Sequence, residues 1–308
     1  MSGMSRETTA AQHSWRQVWL FVALAYGSSW LVALLMFLML RTTAIGLAAQ
    51  GLAVVFMFGP ALAAWVVTRR FEGRGRTREL LEIRFRPNRW WAVAWLLPLA
   101  ISLVILGVSL ALPWLSLDPG MSALLERFRA QLPPEQFEQI RARMDLLPVH
   151  PFFLTIVQGL LAGPTLNALA AFGEELGWRG FLFRKLAPLG FWRSSLLIGL
   201  LWGPWHAPLI LQGHNYPQHP VLGVLWMTVF CVLLSPLMQW VRARAGSVLA
   251  AAVMHGSVNA LFALTLMVVK GGDDLTMGAT GLPGLLTLLA FNVGLAFVMR
   301  RGSTPPAA

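Results

Sequence analysis

Long apolar segments alternate with short polar ones along this 308-residue chain. A helix that crosses the roughly 30 Å hydrocarbon core of a bilayer needs about 20 apolar residues. The pattern contains eight segments near this length, at residues 18–40, 44–68, 91–112, 152–186, 194–212, 221–241, 247–269 and 282–299. Hydrocarbon offers the backbone no hydrogen-bond partner, so each segment is expected to be a helix. We therefore predict an all-α, polytopic integral membrane protein.

The polar segments predict how these helices are arranged. If the N-terminus is cytoplasmic, three quarters of the 24 lysines and arginines fall on the cytoplasmic side of the membrane. Because cytoplasmic loops carry an excess of basic residues, this orientation is favoured, and it places both termini in the cytoplasm. The outer loop at residues 113–150 has the spacing of two short amphipathic helices that lie on the membrane face, divided by Pro133 and Pro134. The fourth segment is too long for one straight crossing, and we expect a break at Gly163 and Pro164.

One transmembrane helical domain is predicted over residues 16–301, with the candidate chemistry within residues 170–261. Residues 1–15 and the tail at residues 302–308 are expected to be disordered. The first apolar segment is longer than the roughly 7–15 residues of a signal-peptide core, so it is expected to remain as a span.

The composition supports the membrane class. The chain is 56% hydrophobic and 12% charged, about half the charged share of a soluble domain. The net charge of +11 also fits nucleic-acid binding, but the basic residues form short runs between apolar segments, as they do at an anionic membrane surface. We therefore expect the lipid bilayer as a partner and no nucleic acid. Cys231 lies in an apolar run and is expected to be a small buried hydrophobic side chain.

Polar side chains interrupt three of the predicted spans. An ionised glutamate near the middle of a span costs on the order of 2–3 kcal/mol, so such residues usually face the protein interior and mark a functional path. Counted along each helix from the nearest basic residue, the three runs lie within about one helical turn of a common depth. We therefore expect them to form one site. The residues are Glu174, Glu175 and Arg179 in the first run, His206 in the second, and His255 and Asn259 in the third.

Helical spacing separates the roles of these residues. Glu175 and Arg179 are four residues apart with the acid first, which favours an ion pair. Glu174 points about 100° away from Glu175 and remains available as a general base. His255 and Asn259 are also four residues apart, so both can face one cavity and stabilise an oxyanion.

Two reaction types fit this set of residues. A carboxylate can activate water, or Glu174, His206 and His255 can hold a divalent metal such as zinc as a two-histidine, one-carboxylate site. Both lead to hydrolysis of a carbonyl. A purely structural role stays open for each residue. Glu175 and Arg179 could form a buried ion pair, His206 could be a polar group in a kinked helix, and Asn259 could form an interhelical hydrogen bond.

Three motifs in this region resemble those of the CPBP intramembrane proteases, which include the type II CAAX prenyl endopeptidases. "EELGWRG" at residues 174–180 resembles the motif EExxxRG, "WGPWH" at residues 202–206 resembles a motif with an aromatic residue four positions before a histidine, and "HGSVN" at residues 255–259 matches HxxxN. The motifs occur in the family's order on separate predicted spans. Trp202 stands where phenylalanine is usual, which affects the shape of the pocket.

The resemblance implies roles for the individual residues. Glu174 and His206 would activate the attacking water, and His255 and Asn259 would stabilise the oxyanion. Glu175 and Arg179 would organise the first motif. We expect Trp178 and Trp202 to shape the pocket. The family has been described both as metal-dependent and as a glutamate-type protease, so a zinc ion held by Glu174, His206 and His255 stays open. The candidate catalytic residues are thus Glu174, Glu175, His206, His255 and Asn259, with Arg179 in an orienting role.

These observations lead to a predicted function and to an alternative of another class. The predicted function is an intramembrane endopeptidase of the bacterial inner (plasma) membrane, which cleaves a membrane-associated peptide in a cavity open to the cytoplasmic side. The resemblance points to a prenylated or bacteriocin-like peptide. The alternative is a non-enzymatic scaffold, an immunity factor or a small-solute transporter that uses the same buried polar residues.

Overall fold

The computed structural model describes residues 2–40, 46–73 and 75–301, and these residues form helices almost throughout. The all-α, polytopic class is therefore confirmed. Within the described residues, seven helical segments are long and apolar enough to cross a membrane: Trp15–Met39, Gly51–Glu72, Arg89–Ala111, Pro151–Leu189, Pro220–Ala245, Val248–Val268 and Leu282–Arg301.

The N-terminal part of the chain forms three crossings and a short basic loop. Its helices are α1 (Ser2–Leu40), α2 (Gly46–Met57), α3 (Gly59–Glu72), α4 (Thr77–Leu80) and α5 (Arg89–Ala111). Helix α1 includes residues before position 15, for which we expected disorder, while the predicted tail at residues 302–308 lies outside the described residues. The domain boundaries stay a prediction. Asn88 begins α5 because its side chain accepts a hydrogen bond from the backbone N–H of Trp90 at 2.9 Å.

The loop after α5 carries two short helices, as its spacing predicted. The segment contains strand β1 (Ser116–Leu117), α6 (Ser122–Gln131) and α7 (Pro134–Asp145). Pro133 and Pro134 separate α6 from α7 because proline favours the first turn of a helix and disfavours the interior.

The fourth span is interrupted by two π-helical segments. In chain order it consists of α8 (Pro151–Ala162), a first π-helix (Gly163–Asn167), α9 (Ala168–Glu175), a second π-helix (Leu176–Leu182), α10 (Phe183–Leu186) and a 3₁₀ turn (Ala187–Leu189). The first π-helix begins at the predicted break, where Pro164 lacks the N–H that would continue the α-helical ladder. π-Helical segments of this kind often accompany functional sites.

The predicted span at residues 194–212 is divided into two short helices. Helix α11 (Phe191–Trp205) is about 22 Å long, which is less than the hydrocarbon thickness, and α12 (Ala207–Ile210) completes the crossing. The break falls at His206 because Pro204 and Pro208 flank it and neither can donate a backbone hydrogen bond. This is why the described helices contain seven long spans rather than the predicted eight.

The C-terminal part adds three further crossings. It contains α13 (Pro220–Ala245), α14 (Val248–Leu261), α15 (Leu264–Val268), strand β2 (Val269–Lys270) and α16 (Leu282–Arg301). Strand β2 pairs with β1 in antiparallel register, with Ser116 opposite Lys270 and Leu117 opposite Val269.

The loops that connect the helices lie at two opposite ends of the molecule, and loops at the same end contact one another. At the basic end, formed by residues 72–73, 75–89, 184–193 and 242–247, Arg242 pairs with Glu82 at 2.9 Å. At the loop end, formed by residues 112–150, 211–219 and 269–281, the hydroxyl of Tyr216 donates to the carbonyl of Thr280 at 2.8 Å. The basic end is the one that the distribution of lysine and arginine assigns to the cytoplasm.

Close backbone contacts hold together the helices that carry the polar residues. A Cβ atom at Gly203 of α11 would lie 2.4 Å from the Cα atom of Thr228 in α13. A Cβ atom at Gly256 of α14 would lie 2.3 Å from the carbonyl oxygen of Gly163 in the first π-helix. Small residues permit this approach where membrane helices pack. The crossings at residues 151–189, 191–210, 220–245 and 248–268 are therefore in direct contact.

Candidate active site

Glu174 lies near the end of α9 and is 3% exposed. The indole N–H of Trp202, from α11, donates to Glu174 Oε2 at 2.7 Å. This bond fixes the orientation of the carboxylate and leaves Oε1 for a second partner. A buried carboxylate held in this way is a suitable general base if a water molecule reaches it.

Glu175, the next residue, joins two helices through one oxygen atom. Its Oε1 accepts a hydrogen bond from Arg179 Nη1 at 3.0 Å and contacts His255 Nδ1 at 2.8 Å. The side chains of Glu175 and Arg179 are both fully buried, so the predicted ion pair is present and is shielded from solvent. Burial of a charged pair requires such additional hydrogen bonds to offset the loss of hydration.

Arg179 extends this network to two more helices. Its Nη2 donates to Ser235 Oγ of α13 at 3.3 Å, and its guanidinium carbon lies 4.3 Å from the ring centre of Trp202 in α11. Its backbone carbonyl accepts from Arg242 Nε at 2.9 Å. The orienting role predicted for Arg179 is consistent with these contacts.

His206 occupies the break between α11 and α12. Its Nδ1 lies 3.0 Å from the carbonyl oxygen of Trp202, and because a carbonyl can only accept, Nδ1 carries the hydrogen. The neutral ring therefore presents the lone pair of Nε2. Trp202 thus holds both groups predicted to activate water, Glu174 through its indole and His206 through its backbone.

His255 and Asn259 lie one turn apart on α14. The carboxylate of Glu175 accepts from His255 Nδ1, so the remaining ring nitrogen is Nε2. The His255 ring lies 5.3 Å from the ring of Trp202, nearly perpendicular to it. Asn259 is exposed, and it lines the same cavity as His255.

A cavity of about 400 Å³ brings five of the predicted residues together. Its wall includes Glu174, Trp202, His206, His255 and Asn259. Their side chains come from α9, α11, the break after α11, and α14. The structure therefore brings residues from all three polar runs to one cavity, as their similar depth along the helices led us to expect.

Three other predicted residues lie behind this wall. Glu175 and Arg179 are fully buried and do not line the cavity, so their contacts are those of positioning residues. Trp178, which we expected in the pocket, is also fully buried and packs edge-on against Phe21 and Trp205. The second π-helix turns its side chain away from the cavity.

The structure adds residues that the sequence did not indicate. His214 and Asn215 line the cavity from the loop after α12, and Cys231 lines it from α13. Burial lowers the pKa of His214 below its usual value. A polar loop at the end of a span has no helical periodicity, so the sequence offered no sign that His214 faces inward. Cys231 is buried, as expected.

The cavity extends toward the loop end. Beyond the histidines, its wall continues through Leu266, Ala279 and Thr280. The cavity therefore extends away from the basic end, which the distribution of lysine and arginine assigns to the cytoplasm, whereas we expected it to open to that side. Which end faces the cytoplasm stays a prediction. The basic end is filled by side chains, among them Arg242 over the ring of Phe183 at 3.7 Å.

The donors fit zinc by type but not by position. Each histidine has its Nδ1 held by an oxygen acceptor, as is usual for a metal-bound imidazole. Yet among the described residues, the three-residue group with ligand atoms within 4.8 Å of one another is His219, Asp273 and Asp274, at the loop end. Glu174, His206 and His255 are not such a group, because their ligand atoms do not all lie within 4.8 Å of one another. A zinc ion held by these residues stays a prediction.

The group at the loop end is explained by its own hydrogen bonds. Asp274 Oδ1 lies 2.6 Å from His219 Nδ1, and its Oδ2 accepts the backbone N–H of Gln218 at 2.6 Å. The hydrogen bond with Asp274 raises the pKa of His219. Asp273 Oδ1 accepts from the hydroxyl of Thr276 at 2.8 Å. These bonds fasten residues 217–219 to residues 273–276.

Comparison with known proteins covers the same region as the motifs. Residues 153–261 match the family described as type II CAAX prenyl endopeptidase Rce1-like. A protein of Methanococcus maripaludis named CAAX prenyl protease 2 is 31% identical over 97 residues, which are 30% of this chain and 36% of that protein. The chain thus spans about a third of the length of the curated relative it matches.

The two adjacent glutamates should differ in their effect on stability. Glu175→Gln should lower the free energy of unfolding by about 3–5 kcal/mol, because it leaves the buried Arg179 without a carboxylate. Glu174→Gln should lower it by about 1 kcal/mol or less, because the amide oxygen still accepts from Trp202. Unfolding of the two purified variants in detergent measures the difference. Equal stability of both variants would contradict the assignment of Glu175 as the buried anchor.

Proposed function

We propose that this chain, which resembles the CPBP intramembrane proteases over residues 153–261, is an endopeptidase that cleaves a membrane-associated peptide. The observation that carries the proposal is the position of Glu174 and His206 on one cavity wall, both held by Trp202. A carboxylate and an imidazole lone pair at one site can bind and deprotonate a water molecule. The activity and substrate of the relative support the proposal only by similarity, because the aligned region is short.

In the proposed reaction, Glu174 accepts the proton of the attacking water. His206 orients that water through a hydrogen bond to Nε2. The water oxygen forms a bond to the carbonyl carbon of the substrate, and the carbonyl oxygen becomes an oxyanion. Glu174 then returns the proton to the nitrogen of the leaving amine as the carbon–nitrogen bond breaks, so that one carboxylate serves as base and then as acid.

The oxyanion is stabilised from α14. The amide of Asn259 donates one hydrogen bond, and a protonated His255 donates a second through Nε2. The carboxylate of Glu175, 2.8 Å from His255 Nδ1, stabilises positive charge on that ring. Donors fixed before the reaction lower the barrier because they need no reorganisation as charge develops.

The wall of the cavity indicates what the substrate presents. Apart from the polar residues, its lining is apolar and includes Phe56, Met227, Phe230, Leu234 and Phe262. We infer that the residues next to the scissile bond are apolar, as in a prenylated or bacteriocin-like peptide at a membrane. The chain is a multi-pass membrane protein, and we propose the bacterial inner (plasma) membrane as its location.

Loss of the general base should abolish cleavage without affecting the fold. Glu174→Gln keeps the acceptor for Trp202 but cannot take a proton, so the cleavage rate should fall by about 10²–10⁴-fold. The measurement is a comparison of protein termini in membranes that contain the wild-type chain or the variant, followed by cleavage of the identified peptide by purified protein.

The matched control is Glu138→Gln, which removes an exposed carboxylate from α7. It should leave the set of termini unchanged. If Glu174→Gln produces the same termini as the wild type, the protease assignment fails. Flux of a solute in vesicles, unaffected by Glu174→Gln, would instead favour the transporter alternative.

The indole N–H of Trp202 should contribute to the chemical step. Trp202→Phe removes the donor to Glu174, while the backbone bond to His206 remains. A hydrogen bond to a charged group contributes about 1.5–3 kcal/mol, so kcat should fall by roughly 10–100-fold with little change in KM. Trp178→Phe, a change behind the cavity wall, should leave both constants near their wild-type values. Wild-type kcat in Trp202→Phe would show that the indole has no part in catalysis.

A further inference from the structure

A second cavity adjoins the candidate active site at the loop end. It has a volume of about 670 Å³, and we call it the vestibule. Asn215, Leu266 and Thr280 line both this vestibule and the catalytic cavity. These three residues therefore lie between two neighbouring chambers, and we call them the neck. The outer chamber lies between α6 and the loop at residues 271–280.

The two chambers differ in the charged side chains that line them. The vestibule wall carries hydrogen-bonding side chains, which are Asn215, Glu126, Arg127, Gln218, Asp274 and Thr280. Below the neck, the wall is mainly apolar until it reaches Glu174 and the histidines. A chamber lined by an arginine and two carboxylates, followed by one with a single carboxylate, suits a peptide whose charged or polar flank adjoins an apolar segment. A lipid acyl chain alone does not provide the polar part.

Arg127 is the charged group best placed to contact such a chain. It lies on α6, is partly exposed, and its Nη2 contacts the sulfur of Met277 at 3.0 Å. Among the described residues, no carboxylate lies within ion-pair distance of Arg127, so its donors remain available. The carbonyl groups of an extended peptide are suitable acceptors.

Several bonds hold the vestibule in shape. Asp118 fixes the start of α6, because its Oδ2 accepts from the backbone N–H of Ala123 at 2.9 Å. Strands β1 and β2 pair beside it, and Asp274 ties the loop after β2 to His219. A frame that is already formed loses little entropy when a ligand binds.

The opposite route into the cavity is filled. Trp178 and Phe181, on the second π-helix that follows Glu174 toward the basic end, are fully buried, and Arg242 covers the ring of Phe183. The buried ion pair of Glu175 and Arg179 occupies the space between α9 and α14. A peptide approaching from the basic end would have to displace these side chains.

We propose that the vestibule receives the polar flank of a peptide substrate, whose apolar residues pass the neck and reach Glu174 from the loop end. This inference rests on the proposed function, since it describes how the substrate of that site arrives. With both termini cytoplasmic, it makes the substrate a peptide segment presented on the outer face of the membrane. A soluble peptide from the cytoplasm would not meet the neck.

Access to the cavity can be measured without any cleavage. Ala263 lines the cavity and is exposed, so Ala263→Cys in a Cys231→Ala background reports arrival of a charged, membrane-impermeant thiol reagent. Leu146→Cys, at an 83% exposed position in the loop end, marks one face, and Glu79→Cys marks the other. In oriented and inverted vesicles, Ala263→Cys should react on the same face as Leu146→Cys.

Blocking the neck tests the route itself. Thr280→Trp should abolish labelling of Ala263→Cys but leave that of Leu146→Cys unchanged. Leu266→Trp is a second blocking variant, and a thermal melt in detergent shows which of the two remains folded. Labelling of Ala263→Cys on the face of Glu79→Cys, labelling on neither face, or unchanged labelling in a folded blocking variant would overturn the proposal.

Cleavage of two reporters separates this proposal from the proposed function. Each reporter has a membrane anchor and the same apolar cleavage segment, placed at one face or the other. The reporter on the face of Leu146→Cys should be cut, and Thr280→Trp should prevent it. Cleavage of the other reporter alone would overturn the route. Labelling through the neck with neither reporter cut would leave the route intact and count against the protease assignment.

Discussion

One carboxylate oxygen, Glu175 Oε1, organises the candidate site. It accepts from Arg179 at 3.0 Å and contacts His255 at 2.8 Å, and the side chains of Glu175 and Arg179 are fully buried. Because an unpaired charge there is very unfavourable, α9 and α14 are held in one register. Arg179 transmits this constraint to α13 through Ser235 and to α11 through the ring of Trp202. The helices that carry the candidate chemistry are therefore positioned by a pair that does not itself reach the cavity.

Trp202 connects this support to the proposed reaction. Its ring lies against Arg179 on one side, while its indole and its carbonyl hold Glu174 and His206. A phenylalanine at this position would keep the packing and the backbone bond but would lose the donor to the carboxylate. The presence of tryptophan rather than phenylalanine at position 202 therefore affects the chemistry of Glu174 as well as the shape of the pocket. The two adjacent glutamates thus have separate tasks, one structural and one facing the cavity.

The features that follow from local periodicity were predictable from the sequence. The spans, the two helices of the outer loop, the break at Gly163 and the pairing of Glu175 with Arg179 all depend on spacing along one helix. The end of the molecule toward which the cavity extends was not predictable from periodicity. Counting residues from the basic segments gives a depth for Glu174 but does not tell which end is filled by side chains. His214 was missed because it lies in a loop, and the short α11 because prolines override the apolar pattern.

The central claim is that Glu174 and His206 act on the same water molecule. A double-mutant cycle on the single-turnover rate of peptide cleavage tests it, with Glu174→Gln, His206→Gln and the combined variant compared with the wild type. If the two side chains act as a unit, the double variant should be about as slow as the slower single variant. If the two losses multiply, the side chains act independently, and the account of a shared water molecule is contradicted.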